Sequence, residues 1–122
     1  MREKMNKRKL GAEVELKIRD YLVQHGFEIL EMNYRCRQGE VDIIAKEDSY
    51  YVFVEVKYRS PSKRYGTPQE AVGFAKQKRI CQTAQYYLYS RGLSEFTPVR
   101  FDVAGVLGEE ITYLKNAFAW CL

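Results

Sequence analysis

The chain has 122 residues, of which 46% are hydrophobic, 30% charged and 14% aromatic; that suffices for one hydrophobic core and falls short of two. Twenty Lys and Arg against sixteen Asp and Glu leave a formal net charge of +4, a mild excess that suits a polyanionic partner. No apolar run approaches the ~20 residues of a spanning helix, and Met1-Arg2-Glu3-Lys4 opens on mixed charge, so a cytoplasmic protein with no membrane association is expected.

Leu10, Val14, Ile18, Tyr21, Leu22 and His25 recur at spacings of three and four, which predicts a helix from Lys4 to His25 closed by Gly26. Glu15 borders that apolar stripe, where a carboxylate needs a partner. Phe27 to Leu30 reads as a first strand and Val41-Asp42-Ile43-Ile44-Ala45 as a second. Tyr50 to Tyr58 forms a third, joined to the second through the polar Lys46-Glu47-Asp48-Ser49 as a hairpin. Thr67-Pro68-Gln69-Glu70 offers an N-cap threonine, a first-turn proline and a capping-box glutamate, so a helix is expected from there. Gly73 interrupts it briefly, and Ile80, Ala84, Tyr87 and Leu88 carry it to Arg91-Gly92. Val99, Phe101 and Val103 alternate with Arg100, Asp102 and Ala104 in a further strand, and Ile111 to Leu114 follows a turn. The order α-β-β-β-α-β-β over residues 1–122 describes a single α/β domain.

Cys36, Cys81 and Cys121 are odd in number and far apart, which suits neither a disulfide framework nor a Cys-x-x-Cys zinc site; they are expected to be reduced. With His25 the sole histidine, the chemistry falls to carboxylates, lysine or a hard metal. Side chains alternate along a strand, so Glu55 and Lys57 share one face with Tyr51 and Phe53. A two-residue Asp48-Ser49 turn sets Asp42 directly opposite Glu55. Two neighbouring carboxylates repel unless a cation lies between them, which points to Mg²⁺ or Mn²⁺, with Lys57 beside them to orient a water or to stabilise charge on a phosphate. The alternative is a solvent-exposed cross-strand salt bridge worth under ~1 kcal/mol. Against that alternative, Glu55 interrupts the strongest β run of the chain, where an unpaired charge is costly.

Gly11-x-x-x-Glu15, Gly39-Glu40-Val41-Asp42-Ile43-Ile44-Ala45, Val52-Phe53-Val54-Glu55-Val56-Lys57-Tyr58-Arg59, Tyr65-Gly66-x-Pro68-x-Glu70-Ala71-Val72, Lys76-Gln77-x-Arg79-Ile80 and Arg100-Phe101-Asp102-Val103 together resemble the YraN family of uncharacterised bacterial proteins. That family is related to the PD-(D/E)XK nuclease superfamily and to archaeal Holliday junction resolvases. The resemblance spans roughly residues 11 to 106. It implies a restriction-endonuclease-like fold, a mixed central sheet flanked by helices, and a nucleic-acid role without establishing a reaction. The acid set with Lys57 favours metal-dependent hydrolysis of DNA, branched or recombination-related, over a non-catalytic nucleic-acid-binding module, and the kinship with junction resolvases suggests a homodimer with paired sites. Carried over residue by residue, the superfamily's metal-binding acid matches Asp42, its Glu-x-Lys matches Glu55 and Lys57, and its helix-one glutamate matches Glu15. The resemblance thus implies Asp42, Glu55 and Glu15 as metal ligands, with Gln77 similar to an auxiliary polar residue aimed at the site. The chain carries Val14 and Ile18 where glycine and alanine are usual, which would set the first helix further out, and Val41 where the superfamily's name has proline.

Around this constellation the basic clusters supply Arg35, Arg37, Arg59, Lys63, Arg64 and Lys76 as candidates for phosphate contact, solvated surface charge being the other reading. Glu40 reads as a hairpin-edge charge, Asp102 as a partner for an arginine, and His25 as a residue that caps carbonyls or packs at a helix end. Tyr86, Tyr87 and Tyr89 have the helical spacing of core and rim.

Overall fold

A computed structural model describes residues 2–59 and 72–121, with the backbone alone for residues 2–9 and 59. Its elements run α1 (Arg2–Gln24), β1 (Glu28–Cys36), β2 (Gly39–Glu47), β3 (Tyr50–Arg59), α2 (Phe74–Ser90), β4 (Val99–Leu107) and β5 (Glu110–Phe118), the order expected from the sequence. The five strands form one sheet in sequence order, antiparallel throughout except for the parallel pair β3 and β4. A parallel pair demands a crossover, and α2 lies on that crossover.

Among the described residues, each face of the sheet is covered by one helix. Val14, Ile18 and Leu22 of α1 are buried with Ile43, Ala45, Val52, Val54, Ala104 and Val106. Ile80, Cys81, Ala84, Tyr87 and Leu88 of α2 are buried on the other face with Ile44, Phe53, Phe101 and Val103. The large side chains of Val14 and Ile18 are therefore absorbed into the α1 interface. Because β3 is covered on both sides, Val52 to Val54 is fully apolar, the pattern of a central strand.

Two edge elements are longer than the sequence suggests. β1 continues past Leu30 to Cys36, and β5 past Leu114 to Phe118. The described part of α2 starts at Phe74 with Gly73 as its N-cap, and the Thr67-Pro68 capping signal lies outside the described residues. Gly39, at the start of β2, has φ +149°, and a Cβ there would stand 3.0 Å from Thr83 Oγ1. A glycine is what lets the β1–β2 hairpin close down on α2.

Candidate active site

The Asp48-Ser49 turn has the expected two residues, since Glu47 pairs with Tyr50, and the ladder runs from there to Ile43 opposite Val54. There the strands part. Alternation breaks at the same place: Val41 joins the α2-side core while Ile43 joins the α1-side core. On the neighbouring strand Asn33 takes a left-handed φ of 53°, and Tyr34 pairs with Val41. Asp42 thus sits in a fork between β2 and β3, where its Oδ2 accepts the Val56 N–H at 2.7 Å and so replaces a lost ladder acceptor.

Glu55 lies one residue past the last paired position, on the Phe53 face, and is only 4% exposed. That burial removes the exposed cross-strand salt bridge as an explanation, since the carboxylate is withdrawn from water. Its Oε2 is 3.5 Å from Lys57 Nζ and 2.5 Å from Lys76 Nζ, the latter reaching in from the first turn of α2. Asp42 is raised from the ordinary carboxylate range to about 7, first by burial, then by the charge of Glu55 and also by that of Glu15 on α1. Lys57 is lowered, first by burial and then by Lys76, while Lys76 is raised by its contact with Glu55. Asp42, Glu55 and Lys57 therefore belong to one electrostatic unit at the fork, to which Glu15 of α1 is linked through its charge on Asp42.

The other candidates fall elsewhere. Gln77 Nε2 donates to the Val72 carbonyl at 2.9 Å, tying the approach of α2 to its first turn. Arg35 and Arg37 are exposed on the β1–β2 hairpin. Lys63 and Arg64 lie outside the described residues, as does the side chain of Arg59. Glu40 is exposed opposite Arg35, an edge charge. His25 donates from Nδ1 to the Tyr21 carbonyl at 2.8 Å and stacks on the Tyr21 ring, a helix-end role.

Asp102 is wholly buried and structural: it accepts Arg100 Nε at 3.0 Å, Tyr113 Oη at 2.6 Å and the Asn116 N–H at 2.9 Å. Tyr87 is core, whereas Tyr86 and Tyr89 are exposed. The cysteines are free thiols, yet Cys81 and Cys121, forty residues apart, meet at 3.4 Å. Sequence reasoning missed that contact, and it missed Lys76 as the cation nearest to Glu55 among the described residues.

The donor chemistry of Asp42, Glu55 and Glu15, all carboxylate oxygens, fits a hard divalent ion. Burial first, and then the charges of Glu55 and Glu15, raise the half-buried Asp42 to about 7, a pattern that a bound cation would relieve. Among the described residues no three acidic, histidine or cysteine side chains are gathered tightly enough to ligate a metal as they stand. The cations that meet Glu55 in this arrangement are the ammonium groups of Lys76 and Lys57, Lys76 the closer.

The family model described as "Uncharacterised protein family UPF0102" matches residues 14–106, a span that includes Glu15, Asp42, Glu55, Lys57 and Lys76. A UPF0102 protein of Lachnoclostridium phytofermentans is 52% identical over 114 residues, covering 93% of this chain and 96% of that protein. One of Clostridioides difficile is 45% identical over 116 residues, covering 93% and 100%. Another, of Aliivibrio salmonicida, is 42% identical over 120 residues, covering 96% and 97%. With that length of match, and with the ordered motifs that link it to the YraN proteins, the chain belongs to the UPF0102 family.

Proposed function

We propose that the protein is a metal-dependent nuclease that hydrolyses phosphodiester bonds, with DNA as its substrate. One observation carries the reading: a nearly buried Glu55 at the centre of the sheet, sharing its face with Lys57 and its charge field with Asp42. Burying such a set costs stability, and a catalytic use offsets that cost. Asp42 and Glu55, with Glu15 from α1, would hold Mg²⁺ or Mn²⁺. When bound, the ion supplies Lewis-acid polarisation of the phosphate and a more acidic water. Asp42 keeps its carboxylate fixed through the Val56 N–H, so one oxygen is oriented by the backbone and the other is left for a ligand. Lys57, its pKa lowered by burial, is suited to hold or accept a proton beside the scissile phosphate. Exposed Arg35 and Arg37 contribute phosphate contacts that do not depend on base sequence. Two such sites in a homodimer would address opposite strands of a branched substrate.

Cleavage of linear, flapped and four-way DNA with Mg²⁺ or Mn²⁺ tests this. Asp42→Ala, Glu55→Ala and Lys57→Ala should each nearly abolish cleavage, and Lys57→Ala should leave metal binding intact. The pairing of Glu55 with Lys76 favours one other reading, a nucleic-acid-binding module on a nuclease-like fold, because it leaves Glu55 neutralised without a metal. DNA binding with no metal-dependent cleavage on any of these substrates selects the module.

A further inference from the structure

Glu55 Oε2 meets two ammonium groups, and they are not equivalent. Lys57 follows Glu55 by two residues on the same strand, so the pleat sets its distance. Lys76 comes from a different layer, the first turn of α2, and stands closer, 2.5 Å against 3.5 Å. Its charge also acts on Asp42 and on Lys57. Its side chain is 38% exposed, so a short swing of the stem returns the ammonium to water.

We infer that Lys76 is the resident counter-ion of the Asp42–Glu55 site, occupying the position of positive charge that a divalent cation takes, so that metal entry displaces its ammonium and Lys76 sets the site's metal affinity. The inference rests on the metal-site reading above. Charge balance supports displacement: Asp42, Glu55 and Glu15, when ionised, bring three negative charges against two positive ones from Lys57 and Lys76. Adding a divalent ion with both lysines in place leaves an excess of +1, whereas releasing Lys76 leaves neutrality. Displacement also explains why Glu55 is turned toward α2 and no trio of ligands is assembled among the described residues. Together with Lys57, Lys76 thus offsets most of the acids' charge until metal arrives.

Mn²⁺ binding followed by electron paramagnetic resonance, together with thermal unfolding of metal-free protein, tests this on the full chain. Lys76→Met should bind Mn²⁺ about tenfold more tightly than wild type, having no ammonium to expel. It should also lower the metal-free Tm, and Mn²⁺ should raise that Tm by more than it raises wild type's. Lys78→Met, on the exposed side of the same helix, should change neither. If the Lys76 variant does not fold, the wild-type Lys76 side-chain resonances decide: on Mg²⁺ titration they should move to those of a solvated lysine, while Lys78 stays put. Wild type that binds Mn²⁺ no more weakly than Lys76→Met, or Lys76 resonances unmoved by bound Mg²⁺, overturns the inference and leaves the metal site standing. No Mn²⁺ binding by wild type or by Lys76→Met overturns both.

Discussion

Asp42→Asn should make the metal-free protein more stable at neutral pH while removing its capacity to bind metal. The carboxyl is raised from 3.8 to about 7 in the fold. A carboxyl whose folded pKa lies above its unfolded one costs nothing below the unfolded value. The cost grows as pH rises from about 4 to about 7 and is full beyond that. About three units at 1.36 kcal/mol each set a ceiling of about 4 kcal/mol, which solvent access to the half-buried group reduces. Asparagine removes the repulsion from Glu55 and Glu15, and its own amide oxygen can still accept the Val56 N–H. A gain of about 1–3 kcal/mol near pH 8, shrinking to near zero at about pH 4, is the expected result. Urea unfolding in a chelator, with the variant compared to wild type at each pH, isolates the effect because the other acids cancel in the difference. A variant that is less stable than wild type near pH 8, or whose advantage is the same at both ends, refutes the electrostatic account of the site.

Asp102→Ala should cost about 3–5 kcal/mol in urea unfolding, because it strips a buried acceptor from Arg100, Tyr113 and the Asn116 backbone at once; a loss under about 1 kcal/mol would mean that the network carries little. Burial pushes the Cys81 thiol up to about 12, so peptide mapping after iodoacetamide treatment near pH 8 should find Cys81 the slowest cysteine to alkylate, well behind Cys36. Replacing Arg35 and Arg37 together by Ala should make the dependence of log affinity for DNA on log salt shallower by about 2, read by fluorescence anisotropy. An unchanged slope would place the phosphate contacts elsewhere.

The sequence carried much of this architecture because its signals are local. The Asp48-Ser49 hairpin and the parity of Glu55 with Lys57 depend on residues close in the chain, and both are found. β1 was legible only to Leu30 because its outer half mixes Tyr34 with Asn33 and Arg35, and Asn33 with its positive φ breaks the period-two pattern that marks a strand. The break in alternation at Asp42 was equally hidden, since Val41 and Ile43 are both apolar and nothing in their types tells which core each joins. Lys76 was read as a phosphate contact because its approach to Glu55 depends on how the crossover lays α2 over the sheet, a tertiary outcome without local periodicity. The meeting of Cys81 with Cys121 likewise requires the chain after β5 to return to α2.

The same interruptions that lengthened and disguised the outer strands also bear on self-association. β1 and β5 are the two borders of the sheet, and a border strand with free N–H and C=O groups is a template for pairing with a second molecule. β1 has a register shift between Ile29 and Glu31 and a left-handed Asn33, and the β4–β5 ladder is offset between Phe101 and Val103 beside a left-handed Asn116. Irregularities of this kind bend a border strand and break up the straight row of hydrogen-bonding groups that a second molecule would pair with. The sheet thereby guards itself against strand-to-strand aggregation during and after folding, with asparagine at both borders supplying the backbone geometry that a β-branched residue would resist.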